Sequence, residues 1–208
     1  RTKGIVVTQI NGMCCDMDRI CDLAEIHGLF IVEDSAQALG ASFRGRPAGS
    51  FGIGGVFSFY PAKVLGCFGD GGAIVTDLED MADFLTLYRD HGRDDSGDVI
   101  ISGRNSRLDN LQASFLDYCL TDYESVIQRR RQIARSYHEA LRDCEFVQLP
   151  RHPDENDDYF DICQNFEIKA EYRDQLKAYL ADQGIGTLIQ WSGFPLHQTK
   201  LFASELQF

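Results

Sequence analysis

The chain has 208 residues, 44% apolar and 25% charged, enough to bury a substantial core in one large domain or two smaller ones. A formal net charge of -12 repels nucleic acid and anionic membranes and argues against general binding to either, while an anionic small molecule, which answers to local donors, stays allowed. No run of about 18 apolar residues occurs, so no membrane-spanning helix is expected. Seven cysteines without CxxC spacing argue against a disulfide framework and a zinc site, and they read as reduced thiols packed as small apolar groups. The apolar stretch after Arg1 ends at Gln9 with no small-residue cleavage site, so a signal peptide is not read there and a cytoplasmic location is expected.

Gly4 to Ile10 is apolar and β-branched and predicts a strand. Asp16 to His27 then carries Met17, Ile20, Cys21, Leu23, Ala24 and Ile26 on a helical face that Gly28 ends. Leu29 to Val32 predicts a second buried strand, which makes a βαβ unit with a parallel pair and delivers Glu33 and Asp34 to the strand-end edge where open α/β sheets bind ligands. The glycine-rich stretch from Gly40 to Gly55 reads as an irregular loop or small hairpin, followed by strands at Val56 to Phe59 and Gly72 to Thr76. Asp77, with Asp80 three residues on, is expected to cap a helix that turns Met81, Phe84, Leu85 and Leu87 to the core. Arg93 to Arg104 is a polar loop.

Helices follow at Leu108 to Leu120 and Glu124 to Arg142, and the run Arg129, Arg130 and Arg131 reads as a solvated face of the second. After Pro150 come a polar loop, a strand at Ile162 to Ile168, a helix at Tyr172 to Gln183 and a strand at Ile185 to Gln190. A domain change is expected near Leu120, which gives a first domain over 1–120 and a smaller α+β unit over 121–208.

Taken singly, the chemistry-bearing residues have ordinary readings. Lys63 can be a surface lysine, Gln37 a turn residue, and Gly69-Asp70-Gly71-Gly72 a tight turn or a phosphate cradle. Asp34 is less ordinary, because a carboxylate after four apolar residues needs a partner or a role. Ordered along the chain, five motifs say more: Glu33-Asp34-Ser35-Ala36-Gln37-Ala38-Leu39-Gly40-Ala41, Gly49-Ser50-Phe51-Gly52, Phe57 to Gly66 around Lys63, Gly69 to Ala73, and Asn105-Ser106-Arg107-Leu108-Asp109-Asn110-Leu111-Gln112-Ala113. Together they closely resemble the sugar aminotransferases of the DegT/DnrJ/EryC1/StrS family, over almost the full length of the chain.

The resemblance implies an α/β chain of the aspartate-aminotransferase-like fold type I, with 1–120 as the C-terminal part of the large cofactor domain and 121–208 in the small one. It implies pyridoxal 5'-phosphate as cofactor. Lys63 would bind the cofactor's aldehyde and shuttle the proton, and Asp34 would pair with the ring nitrogen. Gln37 would meet the ring's 3-hydroxyl oxygen and Ser58 the phosphate. Asn105 would reach the phosphate in a neighbouring copy, which makes a homodimer part of the site. The partners implied are an amino-acid donor, by family habit glutamate, and a keto-sugar carried on a nucleoside diphosphate; no metal is implied.

His197 stands where relatives place a possible sugar-contacting histidine, with an ordinary surface histidine as its equal alternative, and Trp191 is expected in the core. Asn11 to Asp16 departs from the Gly-Gln-Pro-Ala-Asp turn that relatives often have. Relatives also carry, before the position of Arg1, the small residues and hydroxyls that cup the phosphate and the aromatic that stacks on the ring. The chain is therefore expected to be an internal segment of a longer enzyme that by itself binds the cofactor weakly or not at all. Two alternatives stand beside transamination: a dehydratase on the same sugar, which the retained Lys63 disfavours, and a dimerisation module that has lost its catalytic half.

Overall fold

The computed structural model describes residues 1–205, apart from the side chains of Trp191, Ser192 and Glu205. Its first strand, β1 (Gly4–Thr8), leads into helix α1 (Met17–His27) and strand β2 (Phe30–Asp34). The Asp16 carboxylate accepts the Arg19 N–H at 3.3 Å and caps the helix start. Gly28, in the left-handed region at φ 61°, ends it. The hairpin of β3 (Ser42–Phe43) and β4 (Arg46–Pro47) fills the glycine-rich stretch, and β5 (Gly54–Ser58) and β6 (Gly72–Val75) follow. The main sheet has the order β1-β2-β5-β6, with the first three strands parallel and β6 antiparallel to β5.

Pairing of Thr8 with Asp34 and of Asp34 with Val56 brings the C-terminal ends of three parallel strands to one edge. Ser58 lies two residues beyond Val56, about 6.6 Å further along β5. Since side chains alternate across a strand and paired residues share a face, Asp34, Val56 and Ser58 lie on the same side of the sheet.

The two faces differ sharply. Val7, Ile31 and Glu33 point into a core formed with Met17, Ala24, Phe43, Ala48, Ile127 and Ile162, where each fully buried large side chain contributes about 1.5–3 kcal/mol. On the other face Val6, Thr8 and Phe30 are exposed and Val32 and Asp34 only partly covered. The sequence predicts a buried strand at Leu29 to Val32; the described residues cover one face of it. The face that carries Asp34 and Ser58 is the open one.

Helix α2 (Glu79–Arg89) starts after Leu78 with no side-chain cap, and it is the Thr76 hydroxyl, not Asp77, that accepts the Leu78 N–H at 3.1 Å. No residue of α2 is buried, and Phe84, expected in the core, is exposed. Helix α3 (Asn110–Leu120) buries Leu116 against Leu65 and Cys67, and helix α4 (Tyr123–Leu141) buries Ile127 and Ala134.

The basic run on α4 is a solvated face only at Arg129, which is exposed. Arg131 is 6% exposed, donates to the carbonyls of Asp161 (2.6 Å) and Pro153 (2.9 Å) and to Asp154, and lies over the Phe160 ring. Arg130 donates to the carbonyls of Cys163 and Gln164. Carbonyl oxygens left without a strand partner take these guanidinium donors instead.

Short strands β7 (Val147–Gln148), β8 (Tyr159–Phe160) and β9 (Lys169–Ala170), then α5 (Arg173–Asp182) and α6 (Lys200–Glu205), complete the chain. The strand expected at Ile162 to Ile168 does not form: Cys163 takes the left-handed region at φ 54°, and the side chains of Gln164 and Asn165 bond to other segments. Ile185 to Gln190 forms no strand either, and its Ile185 and Leu188 are exposed with no pairing strand among the described residues. The chain divides into two compact units, Arg1–Asp143 with Leu149–Glu167 and Cys144–Gln148 with Ile168–Phe208. No helix among the described residues is long and apolar enough to cross a membrane.

Candidate active site

Asp34 is the last residue of β2. Its Oδ1 accepts the Ala36 N–H at 3.2 Å, and among the described residues the carboxylate makes no ion pair. Beside it Glu33 points the opposite way and is fully buried, where its carboxylate accepts from Gln9 Nε2 (2.7 Å), the Gly49 N–H (2.9 Å) and the Phe51 N–H (2.5 Å). A buried acid with three donors is a structural anchor, and it fixes the strand end on which Asp34 sits.

The chain leaves β5 at Ser58 and enters a closed turn. Cys67 N–H donates to the Phe59 carbonyl and Lys63 N–H to the Tyr60 carbonyl, both at 2.8 Å. Gly66 packs against the turn's own backbone, where a Cβ would come within 2.7 Å of the Tyr60 oxygen. Lys63 is half-buried at the top of this turn, and its amine makes no hydrogen bond or ion pair among the described residues. Lys63, Ser58 and Gln37 line one small cavity together with Tyr123 and Gln164. Burial pushes the Tyr123 phenol up to about 12, so it stays a donor, and it gives its hydrogen to the Leu39 carbonyl at 2.8 Å.

The polar atoms here are already oriented. Gln37 Oε1 accepts the Asn11 N–H at 2.7 Å, which turns its Nε2 into the group available to an acceptor. Ser58 Oγ accepts the Tyr60 N–H at 3.2 Å and so keeps its own hydrogen to donate. Asn105 is exposed, at a bridge with Asp90. His197 is also exposed and belongs to the second unit. The Trp191 side chain lies outside the described ones. Gly69 to Gly71 is an irregular link into β6, which starts at Gly72, and the Gly71 carbonyl accepts the Phe59 N–H.

Sequence reasoning missed the segment that closes the site. Gln164 lines the cavity from a point 101 residues beyond Lys63, held there through Ile162 N–H to the Gly12 carbonyl and Asn165 to Asn11. The available signal was two adjacent amides, Gln164 and Asn165, interrupting an apolar run. Arg151 supports the same segment by a two-pronged bond to the buried Asp161, at 2.7 and 2.8 Å. The neighbouring Cys14 thiol is pushed up to about 12 by its burial, which makes it an inert core group.

Gly12 sits between the two halves of the site at φ 80°, where a Cβ would meet Gln164 N at 2.8 Å and Ile162 Cγ1 at 2.7 Å. Gly12→Ala is therefore expected to destabilise the protein by about 1–3 kcal/mol, through backbone strain and overpacking together. A thermal melt of the full-length variant checks this, and an unchanged midpoint would mean that the contact yields freely.

A model of the DegT/DnrJ/EryC1/StrS aminotransferase family matches residues 1–207. A dTDP-3-amino-3,4,6-trideoxy-alpha-D-glucose transaminase of Streptomyces venezuelae is 38% identical over 99% of this chain and 53% of its own. A UDP-N-acetyl-3-dehydro-alpha-D-glucosamine 3-aminotransferase of Acidithiobacillus ferrooxidans is 38% identical over 100% of this chain and 55% of its own. The crystal structure of S. venezuelae DesV in complex with a ketimine intermediate superposes with a TM-score of 0.92 at 38% identity, covering 99% of this chain and 54% of that one. The chain thus spans about half the length of the curated relatives it matches. On the match of its sequence and the agreement of its mixed α/β architecture, the chain belongs to the DegT/DnrJ/EryC1/StrS aminotransferase family.

Proposed function

We propose that the chain forms part of a pyridoxal 5'-phosphate-dependent aminotransferase of fold type I, which moves an amino group from an amino acid, glutamate by preference, to a keto-sugar of a nucleoside diphosphate sugar. One observation carries the reading. The ends of β2 and β5 set Asp34 and Ser58 on one open face of the sheet, while Ser58, Gln37 and Lys63 share a single cavity. The relatives named as transaminases of dTDP- and UDP-linked sugars support the substrate class.

The donor set fits the cofactor on the chemistry of its oriented atoms. When bound, the cofactor supplies an aldehyde that takes up amines and a protonated ring that withdraws electrons from the adjoining carbon. Lys63 presents the amine that holds the aldehyde and afterwards carries the proton between the substrate carbon and C4′. The Asp34 carboxylate, free of ion pairs among the described residues, holds the proton on the ring nitrogen. Gln37 donates through Nε2 to the 3-oxygen, because its Oε1 is spent on Asn11, and Ser58 donates its hydroxyl hydrogen to the phosphate. Asn105, exposed, reaches the phosphate of a second copy in a homodimer, and His197 contacts the sugar.

The test is direct. The full-length protein is incubated with 15N-glutamate and a nucleoside diphosphate 3-keto-sugar, and label is sought in the sugar. Transfer of 15N with release of 2-oxoglutarate supports the reading, and unlabelled sugar with no 2-oxoglutarate, across both 3-keto and 4-keto substrates, overturns it.

A further inference from the structure

The turn that carries Lys63 is gripped by one side chain. Gln164 Nε2 donates to the Ala62 carbonyl at 2.9 Å, and Gln164 Oε1 accepts the Val64 N–H at 2.9 Å. The two backbone groups lie immediately before and after Lys63, so a single amide satisfies one acceptor and one donor that bracket the lysine. A carboxamide in this orientation offers both complements at once, whatever the pH. Gln164 is 9% exposed, which makes both bonds costly to lose.

The gripping residue is itself held. Arg130 on α4 donates to the carbonyls of Cys163 (3.2 Å) and Gln164 (3.1 Å), and Asn165 bonds Asn11, whose N–H is given to Gln37. The left-handed residue at Cys163 breaks the extended backbone just before Gln164. A continuous set of hydrogen bonds therefore joins α4, the 163–165 segment, the Lys63 turn and the Gln37 amide.

We infer that Gln164 is a positioning residue for Lys63: it fixes the backbone from which the amine projects into the cavity shared with Gln37 and Ser58. The inference rests on the reading of Lys63 as the cofactor lysine and adds a residue that acts on it only through the backbone. A lysine side chain has four rotatable bonds, so its reach is defined only if its backbone is, and a misplacement of about 1 Å at a reacting group can cost roughly 100-fold in rate.

The experiment compares full-length wild type, Gln164→Leu, Gln164→Glu, and Ala24→Gly, the last a destabilised control in α1 outside the cavity lining. In cofactor-free protein, amide exchange at Val64 is expected to quicken by about 10-fold in Gln164→Leu and to stay unchanged in Ala24→Gly at matched global stability. In loaded enzyme, kcat of Gln164→Leu is expected to fall by about 10- to 100-fold with KM changed by less than about threefold, since a misplaced amine weakens the reaction more than substrate binding. Gln164→Glu keeps the acceptor for Val64 but sets a carboxylate against the Ala62 carbonyl. Protonation restores the donor, so its activity relative to wild type is expected to rise as pH falls.

A Gln164→Leu variant with unaltered Val64 exchange overturns the inference. So does one whose melting midpoint drops while kcat holds, because Gln164 would then support the fold alone. A flat ratio of Gln164→Glu to wild-type activity with pH counts against the donor role in the same way. A wild type with no visible band from a lysine-bound cofactor defeats the assignment of Lys63 instead, and the Val64 exchange, read without cofactor, still decides the grip of Gln164 on the turn.

Discussion

Replacing Lys63 with alanine in the full-length protein is expected to remove the visible band of lysine-bound cofactor and to lower amino transfer from glutamate by about 10,000-fold or more. One side chain serves two purposes here, as the amine that holds the aldehyde and as the base that moves the proton, and loss of proton transfer alone costs about 100- to 10,000-fold. The structure favours so large an effect because, among the described residues, no second lysine lines the cavity that Lys63 shares with Gln37 and Ser58. The turn around Lys63 is closed by its own backbone bonds, so removal of the side chain leaves the fold in place and the loss is chemical. The check is the visible spectrum of both proteins on addition of glutamate. Identical bands, responding alike, would reject Lys63 as the cofactor lysine.

The second large effect is on stability. Glu33→Leu strands the N–H groups of Gly49 and Phe51 and the Gln9 amide, all of which now end on one buried carboxylate. Each buried donor left without an acceptor costs about 1–3 kcal/mol, so the three together are expected to cost at least about 3 kcal/mol, a large part of the 5–15 kcal/mol by which a typical domain is stable. At an ordinary urea dependence of about 1–3 kcal/mol per molar, the midpoint of the full-length protein falls by about 1 M or more. Glu33→Gln retains one oxygen and is expected to lie between the variant and wild type. A midpoint for Glu33→Leu within experimental error of wild type would show that the 49–51 loop finds other acceptors. The contrast with Asp34, one residue on, is instructive. Alternation along β2 sends the first carboxylate into the core as an anchor and the second to the open face as a candidate for chemistry.

The site's local parts were legible before any coordinates. Apolar patterning by itself singled out only Asp34, a carboxylate at the end of a buried run, whereas Gln37, Ser58 and Lys63 have ordinary readings singly and were picked out by their places in five ordered motifs that resemble the family. Helix α1 was equally legible, because its Asp16 cap, apolar face and Gly28 stop all act within a few residues. Arg131 shows a signal that was present and misread: it falls four residues after Ile127 and three before Ala134, on the stripe that faces the core, while its neighbours Arg129 and Arg130 suggested a solvated surface. A buried arginine fits there only because the Pro153 and Asp161 carbonyls and the Asp154 carboxylate converge on it, and all three come from a distant segment.

The amino-acid sequence by itself determined the βαβ unit, the placement of Asp34 at a strand end and the family, since each rests on patterns written among near neighbours in the chain. Tertiary structure alone decided that Ile162 to Ile168 is an irregular strap and not a strand, and that Gln164 meets the peptide groups beside Lys63. The physical reason is the range of the interactions. Apolar periodicity and helix caps are written within a turn or two of chain, whereas a single amide bonding to backbone about a hundred residues away leaves no pattern until folding brings the two together.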